Sequence, residues 1–182
     1  VNPIFWDLGG GITVRTFTPD DAGELFALVD ANRARLREWM VWEPTTRGPD
    51  DTRAFIERSL ASETDAEGNG IWVDGRIAGS VGLSVDTVSN SGEIGYWIDA
   101  EHEGKGIVTR VCETFFDFAF DELGLHRMEL HAAADNARSR AVAERLGMRQ
   151  EGVAREGLRV TSGYLDAVLY GILAHEWRAR RS

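Results

Sequence analysis

Between Ile12 and Phe17 the inward positions alternate, with Ile12, Val14 and Thr16 on one face, which predicts a strand. Thr18-Pro19-Asp20-Asp21 then reads as a helix start: a hydroxyl cap, Pro at the first helical position and acids in the first turn. Leu25, Leu28 and Val29 follow at helical spacing, and a short second helix carries Leu36, Trp39 and Met40. The run from Glu43 to Asp51 is polar and predicts a loop. A third helix from about Asp51 puts Phe55, Ile56 and Leu60 on its apolar face.

The pattern then shortens to period two. Ile71-Trp72-Val73 and the stretch Ile77 to Val85 flank Asp74-Gly75, a strong hairpin-turn pair. Glu93 to Ile98 predicts another strand. After Gly104-Lys105-Gly106 comes a helix with Val108, Val111, Cys112, Phe115, Ala119 and Leu123 on its apolar stripe. Met128 to Ala132 predicts a strand, and Ala137 to Leu146 a helix closed by Gly147. Met148 to Val153 and Tyr164 to Leu173 form a last strand pair through Ser162-Gly163, and a short helix carries Trp177, Arg178 and Arg180. Hairpins mixed with helices predict an α+β fold with a mixed, mostly antiparallel central sheet, not a doubly wound one. Without repeat or linker, residues 1–182 read as one domain.

Composition narrows the function. Forty-three per cent of the 182 residues are hydrophobic, including eight Phe and six Trp, enough for a core without metal or disulfide staples. Cys112 is the sole cysteine, so no internal disulfide can form, and a cytoplasmic protein is the expectation. No signal-like segment and no apolar run of membrane-spanning length stands in the sequence, so a soluble, unexported chain with no membrane partner is expected. Thirty acidic against 20 basic residues give a net charge of −10, which argues against nucleic acid as a partner. That surface suits an amine or a basic polypeptide, although solubility alone accounts for it equally well. His102, His126, His131 and His175 lack metal-ligand spacing, so no metal is expected. His131, on a predicted strand, could shuttle protons, with a structural role favoured. Cys112 lies on the apolar stripe and reads as core rather than nucleophile.

The chemistry concentrates in Gly95-Tyr96-Trp97-Ile98-Asp99-Ala100-Glu101-His102-Glu103-Gly104-Lys105-Gly106-Ile107-Val108-Thr109, where a strand enters a glycine loop that opens an amphipathic helix. The first N–H groups of a helix have no intrahelical partner and sit at the positive end of its dipole, and glycines let an anion approach them closely. A phosphate cradle and an ordinary strand-to-helix turn both fit the loop alone. It is not a P-loop, because Gly106 and not Ser or Thr follows Lys105, nor a dinucleotide fingerprint, because Thr109 stands where the third glycine belongs.

Glu103-Gly104-Lys105-Gly106-Ile107-Val108 resembles the acetyl-CoA pyrophosphate loop of GNAT acetyltransferases, (Gln/Arg)-x-x-Gly-x-(Gly/Ala), with Glu103 and Val108 departing from that pattern. A second motif is similar to the RimJ/RimL-like branch, which acetylates ribosomal-protein N-termini: Asp135-Asn136-Ala137-Arg138-Ser139, Glu144-Arg145-Leu146-Gly147-Met148, then Glu151-Gly152. Trp39-x-x-Trp42, Gly95-Tyr96-Trp97 and Asp166…Tyr170 extend the resemblance from about Ile12 to Trp177.

The resemblance implies a GNAT-type sheet with a splayed strand pair, acetyl-CoA as cosubstrate, and cofactor binding by Glu103 to Thr109 and by Asn136. It implies that the backbone of Trp97 and Ile98 pairs with the pantetheine arm, as in strand addition. Ser139 would protonate the departing thiolate, and Trp39, Met40 and Trp42 would line the acceptor side. Helix surface is the plainer reading of Ser139, N-cap of Asn136, and core or a homo-oligomer contact of the two Trp. Direct attack of an amine needs a base and oxyanion donors, for which Glu93 and an N–H near Ile98 are the candidates, with Glu156 a substitute base near Leu158. The implied reaction is acetyl transfer to a primary amine, foremost a protein N-terminal α-amine. A small amine such as a polyamine or antibiotic, and a catalytically silent acyl-CoA-binding module, are the alternatives.

Overall fold

The computed structural model describes residues 3–62 and 66–181. In chain order these residues form β1 (Phe5–Gly9), β2 (Ile12–Thr16), α1 (Ala22–Ala31), α2 (Arg33–Trp39), α3 (Pro49–Ala61), β3 (Ala66–Val73), β4 (Arg76–Asp86) and β5 (Ser91–Ile98). Then come α4 (Ile107–Asp117), β6 (Arg127–Ala133), α5 (Ala137–Arg145), β7 (Arg149–Val160), β8 (Gly163–Leu173) and α6 (Ala174–Arg181). The sheet has eight strands in the order β1-β2-β3-β4-β5-β6-β8-β7 and is mostly antiparallel. Its parallel pair, β5 and β6, is in register only from Ser91–Glu93 against Arg127–Glu129, while each strand runs on beyond that point.

Two compact units divide the chain. The first comprises 1–82, 96–107 and 160–162. Its core joins Phe17, Ala22, Leu25, Ile56, Trp72 and Ile77, with Leu28, Phe55 and Trp97 packed against it. The Asp74-Gly75 turn is made as expected, both residues holding positive φ (50° and 80°) as the tight hairpin requires. At the first helix the acid of the cap does the bonding: Asp21 Oδ2 accepts from the Thr18 N–H at 2.7 Å.

One strand in this unit was unforeseen and two expectations are corrected. Strand β1 has no counterpart in the sequence reading, since Phe5-Trp6-Asp7-Leu8-Gly9 lacks a clean alternation and its outer side leaves Phe5 69% exposed. Leu60 is not on the buried face of α3 but 47% exposed, because it lies on the last turn, where a row of i, i+4 positions has drifted around the helix. Glu43, expected in a polar loop, is fully buried and opens a short 3₁₀ turn, Glu43–Thr45.

The second unit comprises 83–95, 108–159 and 163–182. Val111, Cys112, Phe115 and Ala119 are fully buried along the helical stripe, and Phe116 meets both Phe120 and Trp177 edge-on, the Phe116 and Trp177 rings 5.2 Å apart. The stripe does not reach Leu123 as expected. A π turn over Phe118–Glu122 takes in an extra residue, which carries Phe120 and Leu125 inward and leaves Leu123 half-buried. β7 runs on to Val160, past the expected Val153. No described helix is long and apolar enough to cross a membrane.

Candidate active site

In the first unit, β5 ends at Ile98 and the chain makes one 3₁₀ turn, Ala100–His102, before the glycine loop. Gly104 and Gly106 hold φ of 71° and 74°, and a Cβ added at either would meet nothing within 4 Å. The glycines are therefore required by backbone conformation and not by crowding, and the loop has open space beside it. That combination fits a bound pyrophosphate. Ile107 is buried and anchors the start of α4, whereas Lys105 is exposed and Glu103 half-buried.

The loop is tied down from α1 and α2 by residues the sequence reading did not single out. Asn32, at the junction of the two helices and 4% exposed, spends its whole side-chain capacity there. Its Nδ2 donates to the Leu28 carbonyl and to Asp99 Oδ1, both at 2.9 Å, and its Oδ1 accepts from the Ala100 N–H at 3.3 Å and from Arg35 Nη1 at 3.0 Å. Arg35 Nη2 in turn pairs with the Glu103 carboxylate. An Asn between two helical segments and an Arg one turn later were visible signals, but their partners lie some 67 positions away in sequence.

Trp97 and Ile98 are both half-buried. A Cβ on Gly79 would stand 2.2 Å from the Trp97 carbonyl oxygen, so that glycine lets β4 take the end of β5 at close range. The Trp97 side chain packs against the core and pairs with Trp42, ring centroids 6.3 Å apart and tilted by 49°. Trp39, Met40 and Trp42 are all half-buried, none sealed in the core. What holds their segment is Glu43: its carboxylate accepts from Arg33 Nη1 and Arg37 Nε, each at 2.9 Å, while Arg33 Nη2 reaches the Thr46 carbonyl. The Arg37 guanidinium, and then Arg33, keep the Glu43 carboxyl below the usual carboxylate range.

In the second unit, Asn136 is the N-cap of α5, its Oδ1 accepting from the Ser139 N–H at 3.1 Å. Ser139 is half-buried on the first turn, and Val108 and Thr109 are half-buried on the first turn of α4. Arg145 Nε donates to Thr109 Oγ1 at 3.2 Å. Glu156 is exposed on β7 in a left-handed conformation (φ 53°), its N–H bonded to Asp166 Oδ1 at 2.8 Å, and Leu158 is half-buried nearby on that strand.

Glu93 and His131, considered apart in the sequence, stand together. His131 Nδ1 lies 3.2 Å from Glu93 Oε1, and Nε2 lies 3.5 Å from Glu129 Oε2. The hydrogen bond to Glu93 raises the His131 pKa above the ordinary imidazole value, against burial, which pulls it down. The row continues: Arg127 Nε donates to Glu129 Oε1 at 2.6 Å, and the other end of the guanidinium clamps Glu151. Gly171 on β8 makes that reach possible, since a Cβ there would stand 2.5 Å from Arg127 Nη2. The period-two spacing of Arg127, Glu129 and His131 on β6 was a visible signal, but their meeting with Glu93 depends on register, which sets Glu93 opposite Glu129 and Glu129 opposite Gly171.

Cys112 is fully buried and its thiol pKa is pushed far up by that burial, so it holds no nucleophilic thiolate. Among the described residues no group of three His, Cys, Asp or Glu is placed to hold a metal ion.

Residues 12–149 match the family model described as the acetyltransferase (GNAT) domain. The chain is 39% identical over 175 residues to the "Putative ribosomal N-acetyltransferase YdaF" of Bacillus subtilis (strain 168), covering 93% of this chain and 95% of that one. It is 25% identical over 149 residues to the ribosomal-protein-serine acetyltransferase of Escherichia coli (strain K12), covering 80% and 83%. Among solved structures it is similar to the microcin C7 self immunity acetyltransferase MccE in complex with acetyl-CoA and AMP. That match is 27% identical with a TM-score of 0.85, over 91% of this chain and 94% of the other.

Proposed function

Since the chain belongs to the GNAT acetyltransferases, and with them to the acetyl-CoA-dependent N-acetyltransferases, we propose that it acetylates a protein N-terminal α-amine. The observation that carries the cofactor half is the pair of left-handed glycines, Gly104 and Gly106, opening α4 with open space at both. The acceptor half is supported by the ribosomal names of the two relatives, by the net charge of −10, and by the half-buried Trp39, Met40 and Trp42.

The reading takes residues 1–182 as one acetyltransferase domain. The neutral amine attacks the thioester carbonyl carbon directly, with no acyl-enzyme. A backbone N–H near Ile98 meets the developing oxyanion, and the Trp97 and Ile98 backbone holds the pantetheine arm as an added strand. Glu93 accepts the amine proton, directly or through water, and His131 steadies its carboxylate between turnovers. Collapse of the tetrahedral intermediate breaks the C–S bond, Ser139 protonates the leaving thiolate and regains a proton from water, and Glu93 returns the amine proton to solvent. Asn136 and the loop from Glu103 to Thr109 bind the rest of the cofactor. Trp39, Met40 and Trp42 receive the acceptor backbone.

The test is acetyl-CoA turnover, read by thiol release and by mass spectrometry, against N-terminal peptides, N-terminally blocked peptides carrying lysine, and small amines. The expected outcome is acetylation of free α-amines with blocked peptides inert. Preferential turnover of a polyamine or an antibiotic amine would replace the protein acceptor with a small one. No turnover with any amine, alongside measurable acetyl-CoA binding, would leave a silent binding module.

A further inference from the structure

The loop of Glu103 to Ile107 carries an electrostatic contradiction: a carboxylate stands directly beside the backbone that is to receive a pyrophosphate. The geometry points to Arg35 of α2 as the cation that meets that pyrophosphate, with Glu103 holding it in place until the anion arrives. This rests on the acetyl-CoA reading above and adds a residue to it that lies outside the glycine loop.

Three observations converge on Arg35. It is paired with the residue immediately before Gly104, which puts a guanidinium at the loop's entrance. It is held there by Asn32, whose Oδ1 accepts from Nη1 at 3.0 Å while the same side chain binds Asp99 and the Ala100 N–H. A guanidinium fixed by a buried amide is pre-organised, unlike a surface ion pair that must first order two long chains. Last, the side chain is 36% exposed, and Asn32 and Glu103 take two of its five N–H groups, so donors remain for a planar, bidentate grip on phosphate oxygens.

The charges nearby make the exchange favourable. Lys105 is exposed next door, His102 Nδ1 lies 3.4 Å from Asp99 Oδ2, and Glu101 is exposed. Without Arg35 the segment from Asp99 to Lys105 carries three carboxylates against one lysine, a poor neighbour for a phosphate. With it, Glu103 is neutralised in the free protein, and its carboxylate competes with the incoming anion for the same guanidinium. Cofactor affinity is thereby set by a side-chain exchange.

Binding is measured by calorimetry for acetyl-CoA and by kcat/KM for both acetyl-CoA and acetyl-pantetheine, which lacks the pyrophosphate. Arg35→Ala is expected to weaken acetyl-CoA by about tenfold or more, the range of a charge-assisted hydrogen bond, and to flatten the salt dependence of its binding. Acetyl-pantetheine, having no phosphate to lose, should keep its kcat/KM within about twofold. Glu103→Gln removes the competitor and is expected to tighten acetyl-CoA several-fold relative to acetyl-pantetheine. Equal losses on both substrates in Arg35→Ala, or a weaker acetyl-CoA complex in Glu103→Gln, would make the pair a structural tie and overturn the inference. Wild-type protein that turns over acetyl-pantetheine but gains nothing from the pyrophosphate would overturn it too. Wild-type protein with no affinity for either thioester would instead overturn the cofactor reading beneath it.

Discussion

The glycine loop and the charged row on β5 and β6 are built on opposite logics. In the loop, conformation does the work: Gly104 and Gly106 hold left-handed φ, and in the proposed reading the groups met by the pyrophosphate are backbone N–H with the Arg35 guanidinium beside them. In the row, side chains do it: Glu93, His131, Glu129 and Arg127 are joined end to end across strands. A backbone site tolerates change in its own side chains but not in its φ values. A side-chain site is the reverse. The two should therefore fail differently, the loop in cofactor affinity and the row in rate and pH response.

The largest effect is expected from Glu93→Gln. Removing a general base lowers kcat by about 10²–10⁴-fold, and the KM for acetyl-CoA should stay within about threefold if the row acts on chemistry alone. A raised cofactor KM with unchanged kcat would break the contrast at once. Next, Gly106→Val forces a β-branched residue into left-handed space, at a cost of roughly 1–2 kcal/mol or more, and should raise the acetyl-CoA KM by about 10- to 100-fold. Lys105→Ala, one position away, should cost less than about threefold, as exposed charges do. The opposite ranking would make the lysine the anchor.

Ser139→Ala tests a residue that shares both logics, a side-chain donor on a helix start. A drop in kcat of about tenfold with little change in KM is expected for a group acting in the transition state. An unchanged kcat, measured where chemistry limits turnover, returns Ser139 to the helix surface. The smallest effect is His131→Asn, read as unfolding free energy against pH. A group whose folded pKa is raised stabilises the fold fully below its unfolded value of about 6.5 and loses that contribution as pH rises through the folded value. The variant should therefore be less stable than wild type at pH 5.5, by about 1 kcal/mol or less for so solvent-screened a pair. At pH 9 the two should converge.

The same contrast explains what the sequence made legible. Features written in neighbouring residues came through: the Thr18-Pro19 helix start, the Asp74-Gly75 hairpin, the Gly147 cap and the glycine loop. Cys112 was placed in the core by its helical phase alone. Features written in register did not. Glu43 looks like any loop carboxylate until α2 folds and brings Arg33 and Arg37 to it. The π turn after Asp117 hides in an apolar stretch whose helical phase admits more than one reading, and so Leu123 was misplaced. Of the proposed site, Glu93, His131 and Glu103 stood out in the sequence but Asn32, Arg35 and Glu129 did not, and the partnership of Glu93 with His131, and of Glu103 with Arg35, required the strands and helices to be in place.

Gly171 has an evolutionary consequence. The atoms an added Cβ would strike belong to the tip of Arg127, a flexible chain that can swing aside, so alanine at 171 leaves the strand intact. It would, however, displace the guanidinium from Glu129 and Glu151, leaving Glu129 to His131 alone. Position 171 is thus one where a lineage can drift without losing its fold while the proton affinity of His131, on the neighbouring strand, is retuned. Descendants adapted to acceptors of different basicity could diverge there first, with no residue of the loop or the row itself replaced.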